Sequence, residues 1–385
     1  MHVLVLNCGS SSLKYQLFSV TSRENPHLLA KGFIERIGKR WSTCYCESKN
    51  DVSESKKEIR DHYEAIRIVI EFLKGKETGI LLNSEQIDAV GHRVVHGGEQ
   101  FCQSIRIDEK VMTEIEQCIE LAPLHNPANL TGIRACSELL RGVPQVAVFD
   151  TAFHQSIPEF AWLYALPYTY YEKYKIRRYG FHGSSHKYVA IKAAQFFKKP
   201  LEKLNLITCH LGNGCSITAI KQGKSFDTSM GFTPLEGVIM GTRTGDLDPA
   251  IIFYIMEKEQ LSSEEVSMLL NKKSGLLGVS GISNDMRDIE EAAKKGNKLA
   301  KLALMMFSYR IKKYIGAYTA ALGIVDGLVF TGGIGENHIL SRCNICNDLA
   351  AIGILLDETK NKKYNGKLGS ISRDESSVKV LIIPT

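Results

Sequence analysis

A strand, a glycine-bearing polar turn and a second strand occur twice in this chain, and that repetition constrains its fold more than any other feature. The first copy runs through residues 3–6, Asn7-Cys8-Gly9-Ser10-Ser11-Ser12, and 13–20. The second runs through residues 204–209, His210-Leu211-Gly212-Asn213-Gly214-Cys215, and 216–220. Gly9 and Gly212 hold equivalent places in the two hairpins. Similarity is weak residue by residue, yet a long-range duplication of pattern implies two related halves. Each half mixes strands with helices. Residues 58–73 place apolar side chains at Ile59, Tyr63, Ile66, Ile70 and Leu73, a helical period. Short buried strands are expected at 87–90 and 143–149, helices at 108–121 and 127–140, and polar strands with a loop over 40–57. The second half continues with a long helical stretch over 288–322, a strand at 327–330, a glycine-rich turn, another helix and a last strand at 378–383. The expected architecture is α/β, two duplicated lobes with a cleft between them. At about 150 residues per domain, the 385-residue chain fits two. The division is expected at 1–150 and 151–385, with no low-complexity linker.

Composition narrows the partners. Hydrophobic residues make up 44% and charged residues 23%, which excludes general disorder. Lys and Arg exceed Asp and Glu by 48 − 42 = 6 without a dense basic run. That balance suits a small anionic ligand and argues against nucleic acid. Ten scattered Cys, including Cys44-Tyr45-Cys46 and Cys343-Asn344-Ile345-Cys346, lack a second pair at zinc-finger spacing and read as free thiols of a reducing cytoplasm. Residues 1–18 have no basic segment and no cleavage site of a signal peptide, and no stretch of 18 apolar residues exists. Neither secretion nor a membrane span is expected.

Several motifs carry chemistry. Asn7 to Lys14, with one Gly and three Ser, presents backbone and hydroxyl donors in one turn, a phosphate cradle without a Walker loop. A plain β-turn is the alternative, as it is for Leu211-Gly212-Asn213-Gly214. Thr331-Gly332-Gly333-Ile334-Gly335-Glu336-Asn337 follows a strand and precedes a helix, where a backbone can approach a nucleotide closely. Three such turns in one chain inform more than any one of them. Arg243, on Gly241-Thr242-Arg243-Thr244-Gly245, offers a guanidinium fork to a carboxylate or phosphoryl group, with a surface salt bridge as the alternative. Arg93 follows a buried strand within Gly91-His92-Arg93-Val94-Val95-His96-Gly97-Gly98. Asp150 ends another, a position for Mg²⁺ ligation or for a helix cap. His182 and His186 have the spacing of a metal pair, but Gly183 and the two Ser place a helix start between them, which argues against a shared face. A hydrogen bond from His to a substrate phosphate fits better.

Together these motifs resemble the acetate kinase (acetokinase) family of the actin, Hsp70 and sugar-kinase superfamily. The resemblance runs from LNCGSSSLK through GHRVVHGG, LAPLHNP, FDTAFHQ, RRYGFHGSSH, HLGNGCS, DTSMGFTPLEGVIMGTRTGDLDP and ISNDMRD to FTGGIGEN. It implies two ribonuclease H-like, actin-like ATPase lobes with an active-site cleft between them, the C-terminal lobe binding nucleotide. It also implies reversible transfer of the ATP γ-phosphoryl group to acetate with Mg²⁺ or Mn²⁺, in a cytoplasmic homodimer. By that resemblance Arg93 holds the acetate carboxylate, while Val95, Leu124, Phe181 and Pro234 bound a small pocket for its methyl group. Arg243 and His182 stabilise the transferring group, Asn7 aligns the phosphate and serves the metal, and Asp150 positions Mg²⁺. Nucleotide contacts are implied at Lys14, at His210, Leu211, Gly212 and Asn213, at Asp285, Met286 and Arg287, and at Gly333, Ile334, Gly335, Glu336 and Asn337.

The departures from the family pattern are Cys215, Thr244 and Asn284 where Ser is usual, and Ser184 where Thr is usual. In the family a pair of acidic residues, one of them a Mg²⁺ ligand, and a short helix follow the last strand, whereas this sequence stops at Ile383-Pro384-Thr385. Either the sequence is shortened or the protein lacks a metal ligand; a complete chain of this kind is expected to use Mg²⁺ less well. A propionate or butyrate kinase and an inactive nucleotide-binding relative are the competing readings.

Overall fold

The computed structural model describes residues 1–21, 26–49, 51–75, 80–81, 86–123 and 125–385. Two compact units emerge, Met1–Ala152 and Phe153–Thr385. In the first unit the strands are β1 (His2–Gly9), β2 (Ser12–Val20), β3 (Pro26–Glu35), β4 (Ser42–Ser48), β5 (Val52–Lys57), β6 (Ala89–Val94), β7 (Ile105–Arg106) and β8 (Gln145–Phe149). They form one sheet in the order β5-β4-β3-β2-β1-β6-β8-β7. The β1–β2 pairing runs out to Gly9 opposite Ser12, so Asn7, Cys8 and Gly9 belong to the strand and only Ser10 and Ser11 turn.

Alternation along β1 buries Leu4, Leu6 and Cys8, while Val5 stays 37% exposed on the other face. Asn7 shares the face of Val5 and stands opposite Lys14. Helices His62–Leu73 and Asn126–Leu139 belong to the same unit, and Ile66, Val69 and Ile70 join the core cluster of Leu4, Leu6, Leu13 and Leu17. Asp61 caps the first of these helices through the N–H of Glu64 at 2.9 Å, which delays its start past the apolar Ile59.

The second unit holds β9 (Leu206–Leu211), β10 (Cys215–Lys221), β11 (Lys224–Thr228), β12 (Gly327–Thr331), β13 (Gly369–Ser370) and β14 (Lys379–Ile382). Their order is β11-β10-β9-β12-β14-β13. Both sheets therefore contain one five-strand run: β3-β2-β1-β6-β8 and β11-β10-β9-β12-β14. In each, three antiparallel strands are followed by two that lie parallel to the first. This is the duplicated ribonuclease H-like arrangement the sequence led us to expect. Among the described residues no helix is long and apolar enough to cross a membrane.

Two local expectations are corrected. The helical stretch over 288–322 is two helices, Met286–Lys294 and Lys298–Leu322. Gly296 takes φ +95°, and Asn297 caps the second helix through the N–H of Ala300. The glycine-rich turn after β12 is itself the short helix Gly332–Asn337.

Gly132 lets the helix Asn126–Leu139 approach β1, because a Cβ there would collide with Sγ of Cys8. Gly132→Val is expected to destabilise the protein by about 1–3 kcal/mol through overpacking. Urea unfolding followed by circular dichroism checks this. An unshifted midpoint would show that the helix can lift from β1 at no cost.

Candidate functional site

In the first unit, β1, β6 and β8 are parallel neighbours, and their C-terminal ends bring Asn7, Arg93 and Asp150 together. Arg93 donates from Nε to both oxygens of Asp150 at 3.1 Å, and from Nη2 to Oδ2 at 2.6 Å. Its Nη1 donates to Oδ1 of Asn7 at 3.2 Å. The Asp150 side chain is 3% exposed and the Arg93 side chain 38%, so the carboxylate is buried and the guanidinium still reaches solvent. Asp150 holds Arg93 above its ordinary pKa by Coulomb attraction, against the opposing effect of burial. Of the five N–H groups of a guanidinium, hydrogens on both Nη1 and Nη2 remain for a second anion.

Val95 is buried just beyond β6, and its N–H donates to Oδ1 of Asn129 at 3.1 Å. The amide nitrogen of Asn129 donates to the Cys8 carbonyl at 2.8 Å. One amide thus staples the ends of β1 and β6, a role that no motif or spacing had marked. Lys14 faces solvent on β2, opposite Asn7. Leu124 lies outside the described residues.

The oxygens of Asn7 and Asp150 are hard donors of the kind Mg²⁺ prefers. Both Asp150 oxygens are engaged by Arg93, which suits a hydrated ion held through water. Among the described residues no three His, Cys, Asp or Glu side chains gather as a metal cluster.

In the second unit His182 immediately precedes the helix Gly183–Phe197 and takes a left-handed φ of +58°, a strained conformation for a non-glycine residue. Nδ1 of His182 lies 2.8 Å from Oγ of Ser216, and Nε2 of His186 lies 2.7 Å from the same oxygen. The two histidines therefore do meet, on a hydroxyl of β10. Burial drives His186 well below the ordinary histidine pKa and keeps it neutral. His210 packs against His182 with ring centroids 4.3 Å apart, and its Nδ1 lies 2.8 Å from Oγ of Ser185.

Arg243 sits on an irregular loop. Among the described residues it makes no ion pair; Nη1 lies 3.5 Å from the Pro234 carbonyl and 3.8 Å from Sδ of Met240. Burial lowers its pKa and Cys215 opposes the shift weakly. His182 and Arg243 converge over Gly214: a Cβ there would lie 3.5 Å from Nε2 of His182 and 3.6 Å from Nη1 of Arg243. Phe181, adjacent to His182, is buried.

A cavity of about 560 Å³ in this unit is lined by Gly212, Asn213, Asp285, Met286, Arg287, Gly333, Ile334 and Asn337. Asn284 and His338 also line it, the second unmarked by the sequence reading although it directly follows Asn337. Asn284 donates to Oδ1 of Asn213 at 2.8 Å across it. Hydrogen bonds from Arg287 hold Asp285 down to about 2. His210, Leu211, Gly335 and Glu336 do not line this cavity. Glu336 turns inward, accepting from the N–H groups of Gly332 and Thr385 at 2.9 and 3.0 Å. Gly335 accepts from Arg342 through its carbonyl. A larger cavity of about 630 Å³, beside Phe197 and Ile324, contains none of the expected residues.

Residues 2–385 match the profile of the acetokinase family. The acetate kinase of Thermoanaerobacter pseudethanolicus is 58% identical, over 100% of this chain and 96% of that protein. The crystal structure of Porphyromonas gingivalis acetate kinase superposes with a TM-score of 0.95 at 49% identity, covering 100% of this chain and 96% of the other. A propionate kinase from Francisella tularensis superposes at 0.91 with 43% identity and the same coverage.

His92 and His96 flank Arg93 on the interior side, and burial lowers each from 6.5 to about 4. His92 donates from Nε2 to the side-chain oxygen Oε1 of Gln145 at 2.7 Å, as a neutral ring can. The unfolded chain takes up these protons near 6.5 and the folded chain only near 4. Stability is therefore expected to fall as pH drops through that window, by about 1.4 kcal/mol per pH unit for each ring. Denaturant unfolding at a series of pH values measures the slope. His92→Gln should flatten it, and an unchanged slope would show that His92 is protonated in the folded state.

Proposed function

The chain belongs to the acetokinase family, and we propose that it transfers the γ-phosphoryl group of ATP reversibly to acetate, giving acetyl phosphate and ADP. The observation that carries this reading is the match along the whole chain to proteins named acetate kinase. The geometry supports the chemistry. In-line phosphoryl transfer needs positioning and charge neutralisation more than covalent help. Arg93, oriented by Asp150 and Asn7, offers its remaining N–H groups to the acetate carboxylate. The family's pattern assigns Val95, Leu124, Phe181 and Pro234 to the methyl group. The carboxylate oxygen attacks the γ-phosphorus, the bond to the β,γ-bridging oxygen breaks, and ADP leaves with that oxygen.

Arg243 and His182 stabilise the phosphoryl oxygens during this exchange. The charge of Arg243, without an ion pair among the described residues and beside the Nε2 edge of His182, supports that role. Asn7 and Asp150 would hold Mg²⁺ or Mn²⁺ through water, and the ion when bound supplies charge neutralisation to the phosphate oxygens. Nucleotide occupies the cavity lined by Gly212, Asn213, Asp285, Met286, Arg287, Gly333, Ile334 and Asn337, with Lys14, His210, Leu211, Gly335 and Glu336 completing the family's nucleotide set.

The unbridged cysteines support a reducing cytoplasm, and the exposed apolar side chains Phe253, Tyr254, Met305 and Tyr309 support a homodimer. Chain length is discriminated by crowding, so propionate should be poorer by about 10- to 200-fold in kcat/KM.

Acyl phosphate trapped with hydroxylamine from Mg-ATP and acetate tests the reading. Arg243→Ala should lower kcat by about 10³- to 10⁵-fold while ATP still binds. Acetate-independent turnover, or a mutant as active as the parent, would sink it.

A further inference from the structure

Two segments of the second unit carry groups assigned above to the reaction. Residues 179–182 end in Phe181 and His182; residues 230–243 contain Pro234 and Arg243. The second segment has no helix or strand. Backbone hydrogen bonds tie residues 240–242 to Asn213 and to residues 274–277, and Val238 and Met240 are buried. Over residues 228–236 a cluster of side chains supplies the further bonds. Arg178 donates from Nη1 to the carbonyls of Thr228, Ser229 and Met230 at 2.8, 3.3 and 3.1 Å. Its Nη2 donates to Oε1 of Glu236 at 2.6 Å. The Tyr164 hydroxyl donates to the other Glu236 oxygen and accepts the Phe232 N–H at 2.9 Å. The N–H groups of Tyr179 and Gly180 both donate to the Gly231 carbonyl, joining the two segments directly. A Cβ on Gly231 would collide with Glu236 and the Tyr164 hydroxyl, so the loop closes on this cluster without room for a side chain. The Arg178 side chain is 16% exposed, and its Nε, without a hydrogen bond, lies 3.8 Å from Asp227.

We propose that Arg178, Glu236 and Tyr164 are positioning residues for phosphoryl transfer, holding the loop of Pro234 and Arg243 against the segment of Phe181 and His182. The clasp sets how closely Pro234 bounds the acyl pocket and where Arg243 meets His182. This inference rests on the roles proposed above for Pro234 and Arg243. None of the three is among the residues assigned above to substrate. Arg178 acts through the carbonyls of 228–230 and through Glu236, and Tyr164 through Phe232, whereas Arg243 reaches the same loop at the Pro234 carbonyl. A planar fork is needed at Arg178, since one ammonium cannot grip three carbonyls and a carboxylate in that geometry.

The test is steady-state kinetics of Arg178→Lys and Tyr164→Phe with acetate and with propionate, at varied acetate and varied ATP. A shift of the loop should lower kcat by about 10- to 100-fold in Arg178→Lys and by less in Tyr164→Phe. KM for acetate should rise, KM for ATP should stay unchanged, and the propionate-to-acetate ratio of kcat/KM should increase. A purely structural role would lower the amount of active enzyme and leave KM and the ratio as they are. Unchanged acetate KM and ratio in both variants overturns the proposal. Tyr164→Phe, which removes one hydroxyl, decides alone if Arg178→Lys does not fold. Pro234→Ala separates the two levels. No change of ratio there overturns the pocket assignment, and the clasp's effect on chain length with it. A change there, with none in the clasp variants, overturns the clasp alone.

Discussion

Parallel pairing of β1 with β6, and of β9 with β12, is the constraint on which everything else in the two units depends. A hairpin leaves one strand edge open, and a parallel partner can reach that edge only after a long crossover. Both units meet this requirement in the same way, with the crossover returning the chain beside the first strand of the hairpin. The C-terminal ends of the paired strands then lie together at one edge, which is where open α/β sheets bind ligands. In the first unit those ends supply Asn7, Arg93 and Asp150. In the second, the end of β9 leads into Gly212 and Asn213, and the end of β12 into Gly333 and Ile334, all lining one cavity. The chemistry differs between the units because the residues past the strand ends differ.

The two key arginines make the opposite use of charge. Arg93 is clamped by a buried carboxylate, which fixes the plane of its guanidinium and leaves its outer edge available. Such a group orients an anion at little further entropic cost. Arg243 has no ion-pair partner among the described residues, and burial works against its charge. A partly desolvated, uncompensated cation is an unfavourable thing for a fold to keep. It is stabilised when charge accumulates beside it, which is the condition for favouring a transition state over a ground state.

Legibility from sequence followed locality. The hairpins were readable because period-two alternation, glycines and hydroxyls lie within a dozen or so residues of one another. Asn297 as a cap after Gly296 was also a local signal, outweighed by the apolar period that continues on both sides of it. The helix Gly332–Asn337 was not readable, since three glycines in four positions have poor helix propensity; the structure sets it directly after β12, where Gly332 takes φ +77° close to the Leu211 carbonyl. The site reading singled out side chains with motif spacing and missed those that act across sequence. Asn129 links Cys8 with Val95, and Arg178 meets Glu236 fifty-eight residues away. No pattern in either segment announces these contacts. A helix start between His182 and His186 argues against a shared face, yet Ser216 on β10 joins them.

Two glycines near the reacting groups differ in how tightly backbone and chemistry are coupled. The turn between β9 and β10 passes beneath the Nε2 edge of His182 and the Nη1 of Arg243, and a Cβ on Gly214 would meet them at ordinary contact distances of 3.5 and 3.6 Å. Neither that space nor its own conformation forbids a Cβ there, since Gly214 is not among the glycines with positive φ. Gly231 is different: the carboxylate of Glu236 and the Tyr164 hydroxyl fill the place of a Cβ. A glycine of unremarkable local preference is thus fixed there by its tertiary neighbours. The loops that carry Arg243 and His182 combine such polar contacts with buried apolar side chains, among them Met230, Val238, Met240 and Phe181. Around Gly231 the chain has no free space to shift into, so a displacement of Arg178 or Glu236 is expected to move the backbone that leads on to Arg243.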